Sequence, residues 1–334
     1  MADTDPIRSA LLLVDVEPDA RKTQLGEDDG WGGTRAALPL IAELRRHLAE
    51  RTGAPVRLNW FLRMDPQIEA TWGRADWVRR AAPAVLATIA AHGDYTGIHP
   101  HLWRWDSGAR SWYSDLEDEA WIRHCLDVAT RAYEDVFGRP PEACRFGDRW
   151  SSEATMRELR RRGIRYDLSI EPGLAAAPPH GDRRAHGLLP DHRMAPRTPY
   201  QPAPHHYLEP RAPRARTAPV DGDASTDDLW VVPLTTSRVR WVPMLRPPFL
   251  TRSSVSPNLV LNPLLVRPLL ARELACVTDA PLVLALRSGD LAYWRFWAQF
   301  RRNVTRLLAH PGLARCEFTS PPVAIERWLA RRAR

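Results

Sequence analysis

Residues 11–19 read LLLVDVEPD, and the reading of this stretch decides the fold. Leu11 to Val14 form an apolar, β-prone run without alternation, the pattern of a strand covered on both faces. The run then ends in three acids, Asp15, Glu17 and Asp19. A buried strand that breaks off in carboxylates is how α/β proteins deliver charge to the carboxyl edge of a parallel sheet. Residues 97–103, GIHPHLW, add His99 and His101 at a spacing of two, which points both rings the same way on extended backbone. A carboxylate with two imidazoles is a common open site for a divalent metal, with positions left for water and substrate. The combination predicts metal-dependent hydrolytic chemistry.

Length and composition bound this reading. With 334 residues the chain suits one α/β barrel-like domain carrying an insertion. The start, MADTDPIRSA, is polar and acidic rather than a signal peptide, and no stretch approaches the roughly 20 apolar residues needed to span a bilayer. Cys125, Cys144, Cys276 and Cys316 are scattered and predict reduced core residues in a cytoplasmic protein. The net charge of +7 raises the question of nucleic acid. Lys22 is the only lysine, however, and the arginines are spread along the chain without an interleaved aromatic stripe, so no nucleic-acid partner is expected.

Strand-like and helix-like segments alternate over residues 9–170. Strands are predicted at 9–16, 55–62, 95–101, 143–146 and 164–170. Helices are predicted at 31–50 (capped near Thr34), 75–92, 117–137 and 152–162, the last closed by Gly163. This βαβα order implies parallel strands with helices outside. Residues 174–228 break the pattern with a Pro- and Arg-rich irregular stretch. Order returns with a strand at 229–236, a helix at 258–273 that Pro263 and Pro268 should kink or divide, a strand at 282–288, a helix at 291–309, a short strand CEFTS and a terminal helix at 322–332.

The order of these blocks resembles the polysaccharide deacetylase family, the NodB-homology or carbohydrate esterase group. The matching elements are Asp15-Val16-Glu17 at the end of the first strand, Gly97-Ile98-His99-Pro100-His101, and Arg145-Phe146-Gly147-Asp148-Arg149-Trp150. A helix and a Gly-Ile-x-Tyr-Asp-x-Ser element, Gly163 to Ser169, follow. The resemblance implies a deformed (β/α) barrel holding a divalent metal, with zinc foremost. It implies removal of an acyl group, acetyl above all, from an amino-sugar-containing substrate. Asp15 would be the general base, Arg145 its orienting partner, and Glu17, His99 and His101 the metal ligands.

Two positions depart from the family pattern. Trp103 stands where the second ligand histidine usually lies, four residues after the first. Arg287 stands where the last motif carries its histidine. Arginine is a poor proton donor but can stabilise an oxyanion or hold a carboxylate or phosphate. The proton for the leaving group is then left to Asp290, Asp148, His192, His205 or His206. Asp148, Trp103, Trp105, Trp150 and Trp230 are candidate substrate contacts. The expected partner is a small-molecule or glycan substrate, such as a soluble sugar precursor of a surface polysaccharide. The alternatives are a catalytically inactive barrel that binds glycans or a partner, and a hydrolase of non-sugar C–N bonds.

Overall fold

The computed structural model describes residues 7–179, 184–211, 229–241, 251–255 and 258–333. Its centre is an eight-stranded parallel sheet. Reading across it, the strands are Trp230–Val231, Tyr166–Asp167, Ala143–Cys144, Tyr95–Ile98, Asn59–Leu62, Arg8–Val16 and Leu282–Arg287, with Cys316–Phe318 beside the amino end of Arg8–Val16. The sheet curls on itself. Thr235 donates its N–H to the Val283 carbonyl at 3.3 Å and accepts from Val283 N at 2.9 Å, so the far edge meets strand Leu282–Arg287. Helices pack outside, as the βαβα order requires, and the fold is the expected deformed (β/α) barrel.

Strand pleat sorts the core into two layers, because successive side chains point to opposite faces. Leu12, Val14 and Val16 join the larger cluster beneath the helices. Leu11, Leu13, Phe61, Ala143, Val283 and Ala285 fill the barrel interior, with Ala324 and Ile325 of the terminal helix Pro321–Arg332 plugging it. Continuing each inward row by two residues leads from Leu13 to Asp15 (and by two more to Glu17), from Phe61 to Arg63, from Ala143 to Arg145, and from Ala285 to Arg287. The inward positions turn from apolar to charged at one level of the barrel, its carboxyl edge.

Several boundaries differ from the sequence expectation. The helix expected over 75–92 is two pieces, Val78–Ala81 and Pro83–His92. Pro83 lacks an N–H and drives Ala82 out of helical geometry, to φ −144° and ψ 58°. Pro268, by contrast, does not divide helix Pro263–Ala275. The first helix, Gly32–Thr52, gets no side-chain cap from its N-cap residue Trp31, and Thr34 donates its hydroxyl to the Glu17 carbonyl at 2.8 Å. Strands 55–62 and 164–170 shrink to Asn59–Leu62 and Tyr166–Asp167. A short helix, Pro66–Trp72, and a hairpin, Trp103–Asp106 with Ser111–Ser114, lie where loops were expected. Within the irregular 174–228 stretch the chain forms the hairpin Pro202–Ala203 with His206–Pro210, while 180–183 and 212–228 lie outside the described residues. All four cysteines are free, and Cys276 is exposed rather than in the core. Among the described residues no helix is long and apolar enough to cross a membrane.

Asp94 ties the first helix to the sheet. Its fully buried carboxylate pairs with Arg45 and accepts from Leu58 N at 3.0 Å and the Trp60 indole N–H at 2.7 Å. Removing it would strand three donors, one of them a charged guanidinium. Asp94→Ala is therefore expected to lower unfolding free energy by about 3–5 kcal/mol, as for other broken buried pairs, in denaturant titrations. A loss below about 1 kcal/mol would show the pair to be dispensable.

Candidate active site

Asp15 lies on the last turn of pleat before the strand ends, and Arg287 is its register partner on the neighbouring strand. Arg145, from across the barrel, donates Nε–H to Asp15 Oδ1 at 2.7 Å and Nη1–H to the Leu168 carbonyl at 2.8 Å. Two fixed acceptors thus set the guanidinium plane, and the plane sets Asp15. Burial works against the charge on Arg145, but Asp15 outweighs it and the pKa is pushed up.

Glu17 is 1% exposed and crowded by opposite charge. Arg287 Nε bonds Oε1, Arg63 Nη1 lies 3.6 Å from Oε2, and His101 Nε2 lies 3.4 Å from Oε2. Burial alone would raise this carboxyl, yet Arg287 and then His101 and His99 hold it well below the usual carboxylate range. Asp19 is used differently: it accepts from Gly33 N at 2.8 Å at the start of the first helix.

The histidines are oriented by their other nitrogens. His99 Nδ1 donates to the Arg145 carbonyl at 2.6 Å, which leaves the Nε2 lone pair facing Glu17 at 3.9 Å. Burial pushes the His99 pKa down to about 4, so the ring is neutral near pH 7. His101 donates its backbone N–H to Asp65 at 2.9 Å, and its ring lies over Gly147. A Cβ at position 147 would stand 2.2 Å from that ring, so only glycine fits. The next two residues, Asp148 and Arg149, have φ of 52° and 55°. Consecutive non-glycine residues in the left-handed region cost on the order of 1–3 kcal/mol each and need support. Arg149 supplies it by donating to the Pro190 and Ala175 carbonyls, both at 2.7 Å.

Glu17, His99 and His101 offer three ligand atoms within 4.8 Å of one another. Glu17 Oε2 has no hydrogen-bond partner, and the carbonyl contact at Nδ1 turns His99 Nε2 toward His101 Nε2, 3.3 Å away. The N,N,O donor set therefore fits a divalent cation.

These groups line a cleft of about 490 Å³ together with Arg21, Arg149, Glu171 and a few apolar side chains. Asp15, Glu17, His99, His101, Arg145, Asp148 and Arg287 all reach it, so most residues singled out from sequence converge here. The tryptophans do not. Trp103 is buried, donating Nε1–H toward His101 Nδ1 at 3.2 Å, and so props the ring rather than meeting substrate. Trp150 is buried in the core. Trp230 packs edge-on against Trp328 of the terminal helix, and Trp105 against Trp112. Tryptophan buries its large apolar area where the core can take it, as Trp103 and Trp150 do, while Trp105 and Trp230 are half-buried.

The possible proton donors also separate. His192 is fully buried, accepting from Glu171 N at 3.2 Å and donating to Ser151 Oγ at 3.0 Å; burial lowers its pKa to about 3. His205 and His206 are exposed on the Pro202–Pro210 hairpin and do not line the cleft. Burial tends to raise Asp148, but Arg21 and His101 hold it well below the usual range, so it stays ionised. Asp290 is raised, by burial first, and accepts from Arg287 Nη1 at 3.0 Å. Arg21, Arg63, Asp65 and Glu171 were not identified from sequence. Arg63 carried a usable signal, its place two residues beyond inward-facing Phe61; Arg21 and Glu171 lie on loops and carried none.

No family model matches the chain, and no curated protein matches it in sequence. Solved structures do match its fold. One is a candidate polysaccharide deacetylase from Mycobacterium smegmatis, with TM-score 0.52 and 17% identity over 99% of this chain and 93% of that one. The Puue allantoinase matches with TM-score 0.52 and 13% identity over 98% and 92% of the two chains. A candidate polysaccharide deacetylase from Pseudomonas aeruginosa PAO1 gives TM-score 0.52 and 14% identity over 98% and 92%. The shared architecture is the deformed (β/α) barrel.

Asp167 supports the site from behind. It accepts from Ser169 Oγ at 2.5 Å, and Ser169 in turn accepts from Phe146 N at 2.8 Å, next to Arg145. Burial raises Asp167 to about 7, and its Oδ2 has no partner. The unfolded chain ionises this carboxyl near pH 4, so stability from its neutral form is lost as pH rises from about 4 to 7. Asp167→Asn should gain about 2 kcal/mol relative to the native chain between pH 5 and 8, measured by denaturant unfolding. A constant difference across that range would contradict the assignment.

Proposed function

We propose that this chain is a divalent-metal-dependent hydrolase of amide C–N bonds, removing an acyl group from a small amino-sugar-containing substrate, with zinc as the metal. The observation that carries the reading is the Asp15–Arg145 pair set beside the Glu17, His99 and His101 donors at one end of the barrel. When bound by those three residues, the metal would lower the pKa of water and polarise the acyl carbonyl. Asp15 Oδ takes the proton from the attacking water, with Arg145 fixing its orientation. The proton that Asp15 takes up is the one the departing amine nitrogen requires, so Asp15 returns it as general acid.

Arg287 takes a role histidine could not. Its Nη2 is buried without a partner, while Nε and Nη1 are held by Glu17 and Asp290. That spare donor suits the developing oxyanion or an anionic group on the substrate. The size of the cleft favours a small ligand over a polymer. Phe146 is the one aromatic residue among the described residues lining it, so there is little to stack on a sugar chain. This last point also supports a second reading, hydrolysis of a linear or cyclic amide without a sugar, on a barrel like that of the allantoinase.

The test is a substrate screen of the metal-loaded chain with N-acetylated sugars, their phosphorylated or carboxylated forms, and linear and cyclic amides. Asp15→Asn should lower kcat by about 10²–10⁴-fold. Arg287→Gln should raise KM selectively for anionic substrates, and chelation should abolish turnover reversibly. Absence of turnover on every class, with the metal present, would overturn the enzymatic reading in favour of a binding barrel.

A further inference from the structure

At the opposite end of the barrel, a groove of about 440 Å³ opens beside the amino ends of strands Arg8–Val16 and Leu282–Arg287. Five arginines line it, Arg8, Arg193, Arg197, Arg238 and Arg272, with Glu273 and four threonines. Arg8 is compensated: Nη2 lies 3.7 Å from Glu273, and Nε donates to the Ala280 carbonyl at 2.8 Å. Arg193 is paired with Asp191, Nε to Oδ1 at 3.0 Å. The other three have no such partner. Arg197 donates only to the Thr236 carbonyl, at 2.6 Å, and to the Thr236 hydroxyl, at 3.0 Å. Arg272 reaches only Ser237 Oγ, at 3.4 Å. Among the described residues no carboxylate lies within ion-pairing distance of Arg197, Arg238 or Arg272.

This is unlike the buried arginines elsewhere in the fold. Arg45 has Asp94, Arg145 has Asp15 and Arg287 has Glu17. In the groove, burial first and then the like charge of Arg238 push the Arg197 pKa down, with Arg272 adding to the repulsion and Glu273 opposing it. Clustered cations with hydroxyls between them, and space in front, lack only an anion. Guanidinium forks match the oxygens of a phosphoryl group better than any single charge does.

We propose that this groove is a second site, separate from the catalytic cleft, which binds a phosphoryl-bearing anion. Arg8 and Asp15 are seven residues apart on one strand, so the groove lies roughly 23 Å from the cleft at about 3.3 Å per residue. Free phosphate, pyrophosphate and a nucleoside diphosphate share the chemistry it recognises.

Calorimetric titration of the full chain with each of these three, at constant ionic strength, tests the proposal. Saturable binding of one equivalent is expected, weakened tenfold or more in Arg197→Gln/Arg272→Gln and unchanged in Arg287→Gln. Tighter binding of the diphosphate than of phosphate and pyrophosphate would identify a nucleotide source; equal binding of all three would identify free phosphate. Unfolding midpoints of the variants separate lost binding from lost fold, because both altered side chains are exposed. No saturable binding would overturn the proposal. So would binding that survives Arg197→Gln/Arg272→Gln and disappears in Arg287→Gln, since the anion would then sit in the cleft.

Discussion

The site depends on one constraint: Glu17 must keep its charge although the side chain is almost wholly buried. An isolated carboxylate at that depth would take up a proton rather than stay ionised. Arg287 and Arg63 prevent this from two sides, and the two imidazoles face the same carboxylate. Each of those partners is anchored in turn. Arg287 is held by Asp290, Arg63 by Asp65, His99 by the Arg145 carbonyl, and His101 by Asp65 and the wall of Gly147. The network fixes these side chains while leaving Glu17 Oε2 and Arg287 Nη2 without a partner, which is the preorganisation a reactive site needs.

Barrel geometry makes such a network possible. The inward rows of four strands change from Leu, Phe and Ala to Asp, Glu and Arg at the same height. Below that height the interior is packed, and the terminal helix fills the remaining space with Ala324 and Ile325. Above it the chain leaves the sheet and the charges meet one another instead of solvent. The left-handed pair Asp148 and Arg149 lies in one of those departing loops, where backbone strain is offset by hydrogen bonds to Pro190 and Ala175.

Much of this was legible in the sequence because it is local. LLLVDVEPD states both the burial of a strand and the charge at its end, and the spacing of His99 and His101 fixes their common side. Arg145 was placed by its block, and Arg287 by its strand. What stayed hidden depends on contacts between distant segments. Arg63 reads as a solvated loop arginine until Phe61 is known to face inward, and Asp65 reads as a helix cap, which it also is. The tryptophans near polar residues suggested exposure, but tertiary packing buried Trp103 and Trp150. Pro83 broke a helix that apolar periodicity alone would continue, whereas Pro268 did not, so the same residue type gave opposite results in two contexts.

Arg287 sets the balance of charge at Glu17. Its Nε is bonded to Glu17 Oε1, and its Nη2 is buried without a partner. The central claim is that Glu17 serves both Arg287 and a metal held with His99 and His101. Anomalous diffraction from crystals grown with zinc, recorded on both sides of its absorption edge, tests this most directly. A single peak bounded by Glu17 Oε2, His99 Nε2 and a ring nitrogen of His101 is predicted, with Arg287 still bonded to Oε1. A cleft without a peak, or a peak bound by other residues while Glu17 remains paired with arginine alone, would contradict the account.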